Sequence, residues 1–178
     1  MAKKKGILDK IEPHEAKAVL RELAKDRNIR KKAEEIALAM VSDVDVDEVA
    51  ELVFWELDAI PVEKVWDNSG STRDGYVEPG DYAWQLFEDA LDPFIQQTRR
   101  LRELSLHDQA KLHTMGILKG IHRFETDSES EFKDWAVDAP AELFERIYDD
   151  WKKGSRKKKD LKEMKNFIME HCPGTGKI

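Results

Sequence analysis

Between Glu15 and Val41 the chain reads EAKAVLRELAKDRNIRKKAEEIALAMV, and its apolar residues recur at helical spacing. Ala16, Val19, Leu20 and Leu23 fall at i, i+3, i+4 and i+7, one stripe along an α-helix. Pro13 suits the first position of that helix, where no amide hydrogen is needed. Asp26-Arg27-Asn28 interrupts the stripe. Ile29, Ala33, Ile36, Ala37 and Met40 then form a second one, with Arg30, Lys31, Lys32, Glu34 and Glu35 outside it. So short a link predicts two near-antiparallel neighbouring helices. Repeated pairs of this kind stack, because one pair cannot bury its apolar face alone.

The same helical period continues. Ser42-Asp43 or Asp45 is expected to cap a helix running to about Ala59, with Val46, Val49, Ala50, Val53, Phe54 and Leu57 inward. Pro61 ends it. Trp66 to Gly80, WDNSGSTRDGYVEPG, is polar and Gly-containing and predicts the one long loop of the chain. Asp81 opens the next helix. Asp92-Pro93 marks either a new helix or a kink in a continuous one. Ser105 is expected to cap a helix from Leu106 to about Phe124. A short helix at 129–135, a longer one at 140–151 and a last one at about 157–171 complete the pattern. No run alternates as a half-buried strand between hairpin turns.

These elements predict an all-α fold of eight or nine helices, as stacked antiparallel pairs in a right-handed superhelix. An irregular bundle would carry the same pattern. The expected organisation is one irregular helical-repeat domain over residues 1–154, interrupted at 66–80. A basic C-terminal helix and tail over 155–178 pack on that same domain.

Leu20-x-x-Leu23-x-x-Asp26 followed by Ile29-Arg30-x-x-Ala33-x-x-Ile36-Ala37 resembles a HEAT-type repeat. That family has leucines on the first helix, an aspartate in the turn and Val/Ile-Arg-x-x-Ala on the second. The match covers residues 15–41, with a shorter link than the family's usual one. The stretch WDNSGSTRDGYVEPGDYAW also resembles bacterial and archaeal helical-repeat proteins of unknown function. The resemblance implies helical-repeat architecture and no particular activity.

Composition narrows the function classes. At 178 residues, with 40% hydrophobic and 38% charged residues, the chain can bury a core without a metal or disulfide. Cys172 is its single cysteine, so no internal disulfide forms and a reducing cytoplasm is expected. No stretch has the apolar length of a signal peptide or a membrane span. Residues 152–178 hold nine Lys/Arg against three Asp/Glu, leaving 21 against 34 for residues 1–151. An acidic body repels phosphate backbones, whereas a basic tail attracts them.

The motifs that carry chemistry fail one by one. Pro173-Gly174-Thr175-Gly176-Lys177 has the end of a phosphate-binding P-loop, but His171 stands at the first Gly position and Ile178 at the Ser/Thr position. Asp43, Asp45 and Asp47 alternate as in an EF-hand, but Glu48 and Phe54 occupy the Gly and Glu positions. They read as caps of a helix start. His14, His107, His113, His122 and His171 show no metal-ligand spacing, and no metal or cofactor is expected. His113 lies on the apolar side of its helix and reads as a hydrogen-bonded core residue. Gly116 and Gly120, four apart on one helix, read as the close approach of a neighbour.

The binding candidates are Trp66, Asp67, Asn68, Arg73, Asp74 and Tyr76, with Trp84 just beyond. Long segments on helical scaffolds often bind, and Trp, Tyr and Arg are common interface anchors. Trp66 and Tyr76 pinning the segment onto the helices is the structural alternative. Arg156, Lys157, Lys158 and Lys159, with Lys152, Lys153, Lys162 and Lys165, are candidate phosphate contacts. A solvated helix start is the commoner explanation. The sequence therefore points to a non-catalytic helical scaffold that holds a protein partner through an acidic face or the 66–80 segment. The alternatives are a HEAT-like DNA glycosylase using Trp66, Asp67, Arg73 and Trp84, which resembles the chain in helical-repeat style alone, or a nucleic-acid accessory acting through the basic tail. Neither membrane association nor a catalytic residue is expected.

Overall fold

The computed structural model describes residues 6–73, 75–155 and 157–174. The chain is all-α apart from one small hairpin. It divides into two compact units, residues 1–43 and 44–178.

The first unit holds a 3-10 turn at Ile7–Asp9 and helices α1 (Pro13–Leu23) and α2 (Arg27–Ser42). Local chemistry sets their ends. Pro13 takes the first turn of α1, and the Glu12 amide donates to the Glu15 carboxylate at 2.8 Å. The Asp26 carboxylate caps α2, accepting from the amides of Asn28 at 2.8 Å and Ile29 at 3.1 Å. Arg30 reaches back to the Ala24 carbonyl at 2.9 Å and braces the turn. The expected packing of α1 along α2 is not seen. They share a turn without lying face to face, and neither buries a single residue.

The second unit contains α3 (Val46–Asp58), α4 (Glu63–Asn68), the strands β1 (Gly70–Thr72) and β2 (Gly75–Val77), α5 (Pro79–Glu103), α6 (His107–Asp127), a 3-10 turn at Glu131–Asp134, α7 (Ala139–Gly154) and α8 (Lys158–His171). Asp45 caps α3 through the amides of Asp47 and Glu48, so the alternating acids serve a helix start. Pro93 lies inside α5, which settles the Asp92-Pro93 alternative in favour of one helix. The link from α5 to α6 departs from expectation. Ser105 does not cap α6 but sits at φ 60° just beyond the end of α5. The Leu106 amide bonds the Leu101 carbonyl and the Ser105 amide bonds that of Arg102, both at 2.9 Å. That pair of bonds is a Schellman closure, which needs a left-handed residue where serine stands.

Helix α6 is the hub of this unit. It contacts α3, α5, α7 and α8, whereas a stacked array would pass contacts from each pair to the next. Its tightest partner is α3. A Cβ added at Gly116 would lie 2.5 Å from Val49 Cβ and 2.9 Å from the Val46 carbonyl; one at Gly120 would lie 2.6 Å from Val53 Cβ and 2.8 Å from the Ala50 carbonyl. Only glycine allows backbones this close. Beside this seam Lys119 pairs with Asp47 and Arg123 with Glu51, each at 2.6 Å. Contacts that advance four residues on both helices together mean that α3 and α6 run parallel. They are separated in sequence by α4, the hairpin and α5. Phe87, Phe124, Phe132 and Phe144 fill the core, with Phe87 meeting Phe124 edge to face at 5.5 Å between centroids. Helix α8 adds Met164 and Ile168 against α6.

Candidate functional site

The segment over 66–80 is more ordered than its composition suggests. Trp66, Asp67 and Asn68 form the end of α4, and the Asn68 amide donates to the Lys64 carbonyl at 2.9 Å. The hairpin follows, with Gly70 opposite Val77 and Ser71 opposite Tyr76. Gly70 at φ 93° and Gly75 at φ 139° supply the positive-φ positions that bound so tight a ribbon. The expected long loop is thus the last three residues of α4, a three-residue-per-strand hairpin and the first two residues of α5.

The expected site residues divide. Trp66 is 52% exposed and Tyr76 63%, so neither ring pins the segment onto the helices. Asp67, Asn68 and Arg73 are exposed as well. Trp84 differs: it is half-buried against the core on α5, under the Arg146 guanidinium at 5.6 Å from its ring centroid. Arg146 in turn pairs with Glu88, so Trp84 belongs to the packing between α5 and α7. Asp74 lies outside the described residues, as do Arg156 and residues 175–178 of the P-loop-like tail. Lys157, Lys158 and Lys159 are exposed at the start of α8.

Titratable groups in the second unit are mostly structural. The His113 ring sits 2.9 Å from the Thr98 hydroxyl in the core, and burial holds its pKa below the usual histidine value. This is the core histidine that its position on α6 predicts. Burial opposes the charge on Lys111, but bonds to Glu163 and Asp160 outweigh it and raise its pKa, tying α6 to α8. Burial pushes the Cys172 thiol up to about 12, so it is no thiolate nucleophile at neutral pH. Among the described residues no group of three or more His, Cys, Asp or Glu is placed to hold a metal ion, and no helix is long and apolar enough to cross a membrane.

The surface that the sequence does not single out is the apolar side of the first unit. Val19, Leu20 and Leu23 on α1, and Ile29, Ile36 and Met40 on α2, are all exposed, Met40 at 78%; Leu38, on the other side of α2, is exposed too. Scattered apolar residues on a surface need no explanation, but a continuous stripe marks an interaction site. The stripe itself is legible in the sequence; that α1 and α2 do not bury it against each other is not. Residues 13–42 carry seven Lys/Arg and five Asp/Glu, a small positive excess on an otherwise acidic chain. No family model matches the chain, and neither a curated protein nor a solved structure matches it.

Proposed function

We propose that this protein is a non-catalytic helical interaction protein, and that α1 and α2 are the surface on which it holds a protein partner. One observation carries this reading: six large apolar side chains at helical spacing, Val19, Leu20, Leu23, Ile29, Ile36 and Met40, stand exposed on two helices that bury none of their residues. Helices of 11 and 16 residues draw little stability from propensity alone and need tertiary cover for their apolar face. The small positive excess of residues 13–42 favours a partner whose apolar groove is bordered by Asp and Glu, which the helix pair enters as anchors at i, i+3 and i+4. The 66–80 segment, with Trp66, Arg73 and Tyr76 exposed, is a second contact region of the same scaffold.

Photo-crosslinking in cells tests this. A benzophenone amino acid at position 20 or 36 should trap one defined protein, and the same group at the exposed position 56 should not. Purified, that protein should bind the intact chain and lose the chain bearing Leu20→Glu and Ile36→Glu. Crosslinking at position 56 equal to that at 20 and 36 overturns the proposal. So does a trapped species consisting solely of a second copy of this chain.

A further inference from the structure

A cleft of about 290 Å³ opens where the end of α5 and the starts of α6 and α8 meet the end of α7. Arg102, His107, Lys111, Gly154, Lys157 and Asp160 line it. Arg102, in the last turn of α5, lays its guanidinium over Gly154: a Cβ there would sit 3.3 Å from Cζ and from Nη1. Both Nη atoms donate to the Asp150 carbonyl at a long 3.3 Å. Among the described residues no carboxylate pairs with this guanidinium within 4 Å. It keeps further donors in hand, because an arginine has five. Burial, with Arg99 adding to it, works against its charge more than Asp150 favours it.

The start of α8 adds a second anomaly. Lys157, Lys158 and Lys159 occupy its cap and first two positions, at the positive end of the helix dipole, where acids are normally favoured. Among the described residues no side chain caps this end. The one acid on the cleft wall, Asp160, is already bonded to Lys111 at 3.1 Å, and Lys111 is further held by Glu163. Among the described residues neither Arg102 nor Lys157 has a carboxylate within ion-pair distance. Helix stability alone disfavours such an arrangement, whereas a bound anion would reconcile all of it. An arginine fork with spare donors, an ammonium and uncapped helix amides together match the oxygens of a phosphate group.

We infer that this cleft binds the phosphate group of a small phosphorylated molecule. Its volume is near the low end of small-ligand sites. The acidic balance of residues 1–151 disfavours a polymer of phosphates running across the body. This inference stands apart from the helix-pair reading, and neither needs the other.

The probe is pyrophosphate, with inorganic phosphate beside it, titrated into the full-length chain by calorimetry and by amide NMR. The expected result is saturable binding at one site, with shifts at His107, Gly154 and Ser155. Arg102→Gln should weaken pyrophosphate binding by about tenfold, the loss of one charge-assisted bond. Because Arg102 is partly buried, the surface variant His107→Gln/Lys157→Gln, whose fold circular dichroism checks, should weaken it by at least as much. The inference falls if pyrophosphate does not saturate, if both variants bind it unchanged, or if sulfate binds as tightly. It falls equally if a 12-nucleotide single strand binds and pyrophosphate does not displace it.

Discussion

Helices α1 and α2 carry apolar residues at the same spacing as α3 and α6. In the second pair Val49 and Val53 of α3 lie against Gly116 and Gly120 of α6, and most of α6 is buried. In the first pair Leu20, Leu23, Ile36 and Met40 face solvent and nothing is buried. The two pairs have comparable caps, since Asp26 and Asp45 accept the same two kinds of amide bond. Amphipathicity and capping therefore decide where a helix starts and which side is apolar. They do not decide whether that side is covered. Coverage depends on a partner element, and for α3 that partner lies some 70 residues away.

The sharpest way to break this contrast is to wedge the α3–α6 seam open. Gly120→Ala gains up to about 1 kcal/mol of helix propensity. Its methyl would meet both Val53 and the Ala50 carbonyl, and backbone cannot step aside as a flexible side-chain end does. The net loss should be about 2–3 kcal/mol in urea unfolding. Thr98→Val is next: it leaves a buried nitrogen of His113 without its hydroxyl, at a cost of about 2 kcal/mol.

His113 also makes the second unit sensitive to acid. Its folded pKa lies below 6.5, so above that value the ring is neutral in both states and its contribution is fully present. As pH falls below 6.5 the unfolded chain takes up a proton that the core resists, and stability declines until the folded pKa is passed. Urea midpoints from pH 7.5 downward should show this fall, and His113→Gln should reduce the slope. The smallest effect belongs to the first pair. Leu23→Ser should change the unfolding free energy of the second unit by no more than about 0.5 kcal/mol, because the Leu23 side chain is already in water.

What was legible in the sequence was local. Pro13, Asp26 and Asp45 mark helix starts through bonds spanning two or three residues. The spacing of Gly116 and Gly120 announces a close neighbour, though not that the neighbour is α3 running parallel. The hairpin at 70–77 escaped because strands of three residues are too short to show alternation. Ser105 escaped because a non-glycine residue at positive φ gives no compositional sign. For the candidate site, the aromatics of 66–80 do stand exposed as a binding segment requires. Trp84 is drawn into packing under Arg146, a contact made with a helix some 60 residues further on. The cleft at Arg102 escaped for the same reason: its charges come together from α5, α6 and the start of α8, between residues 102 and 160.

Amide hydrogen exchange on the isolated full-length chain tests the contrast most directly. Amides of 13–42 should exchange within seconds to minutes, close to the unprotected rate, while those of 46–58 and 110–124 open only with global unfolding. Protection over 13–42 equal to that of α3 and α6, in the absence of any partner, would show that the helix pair is already covered and would contradict the account.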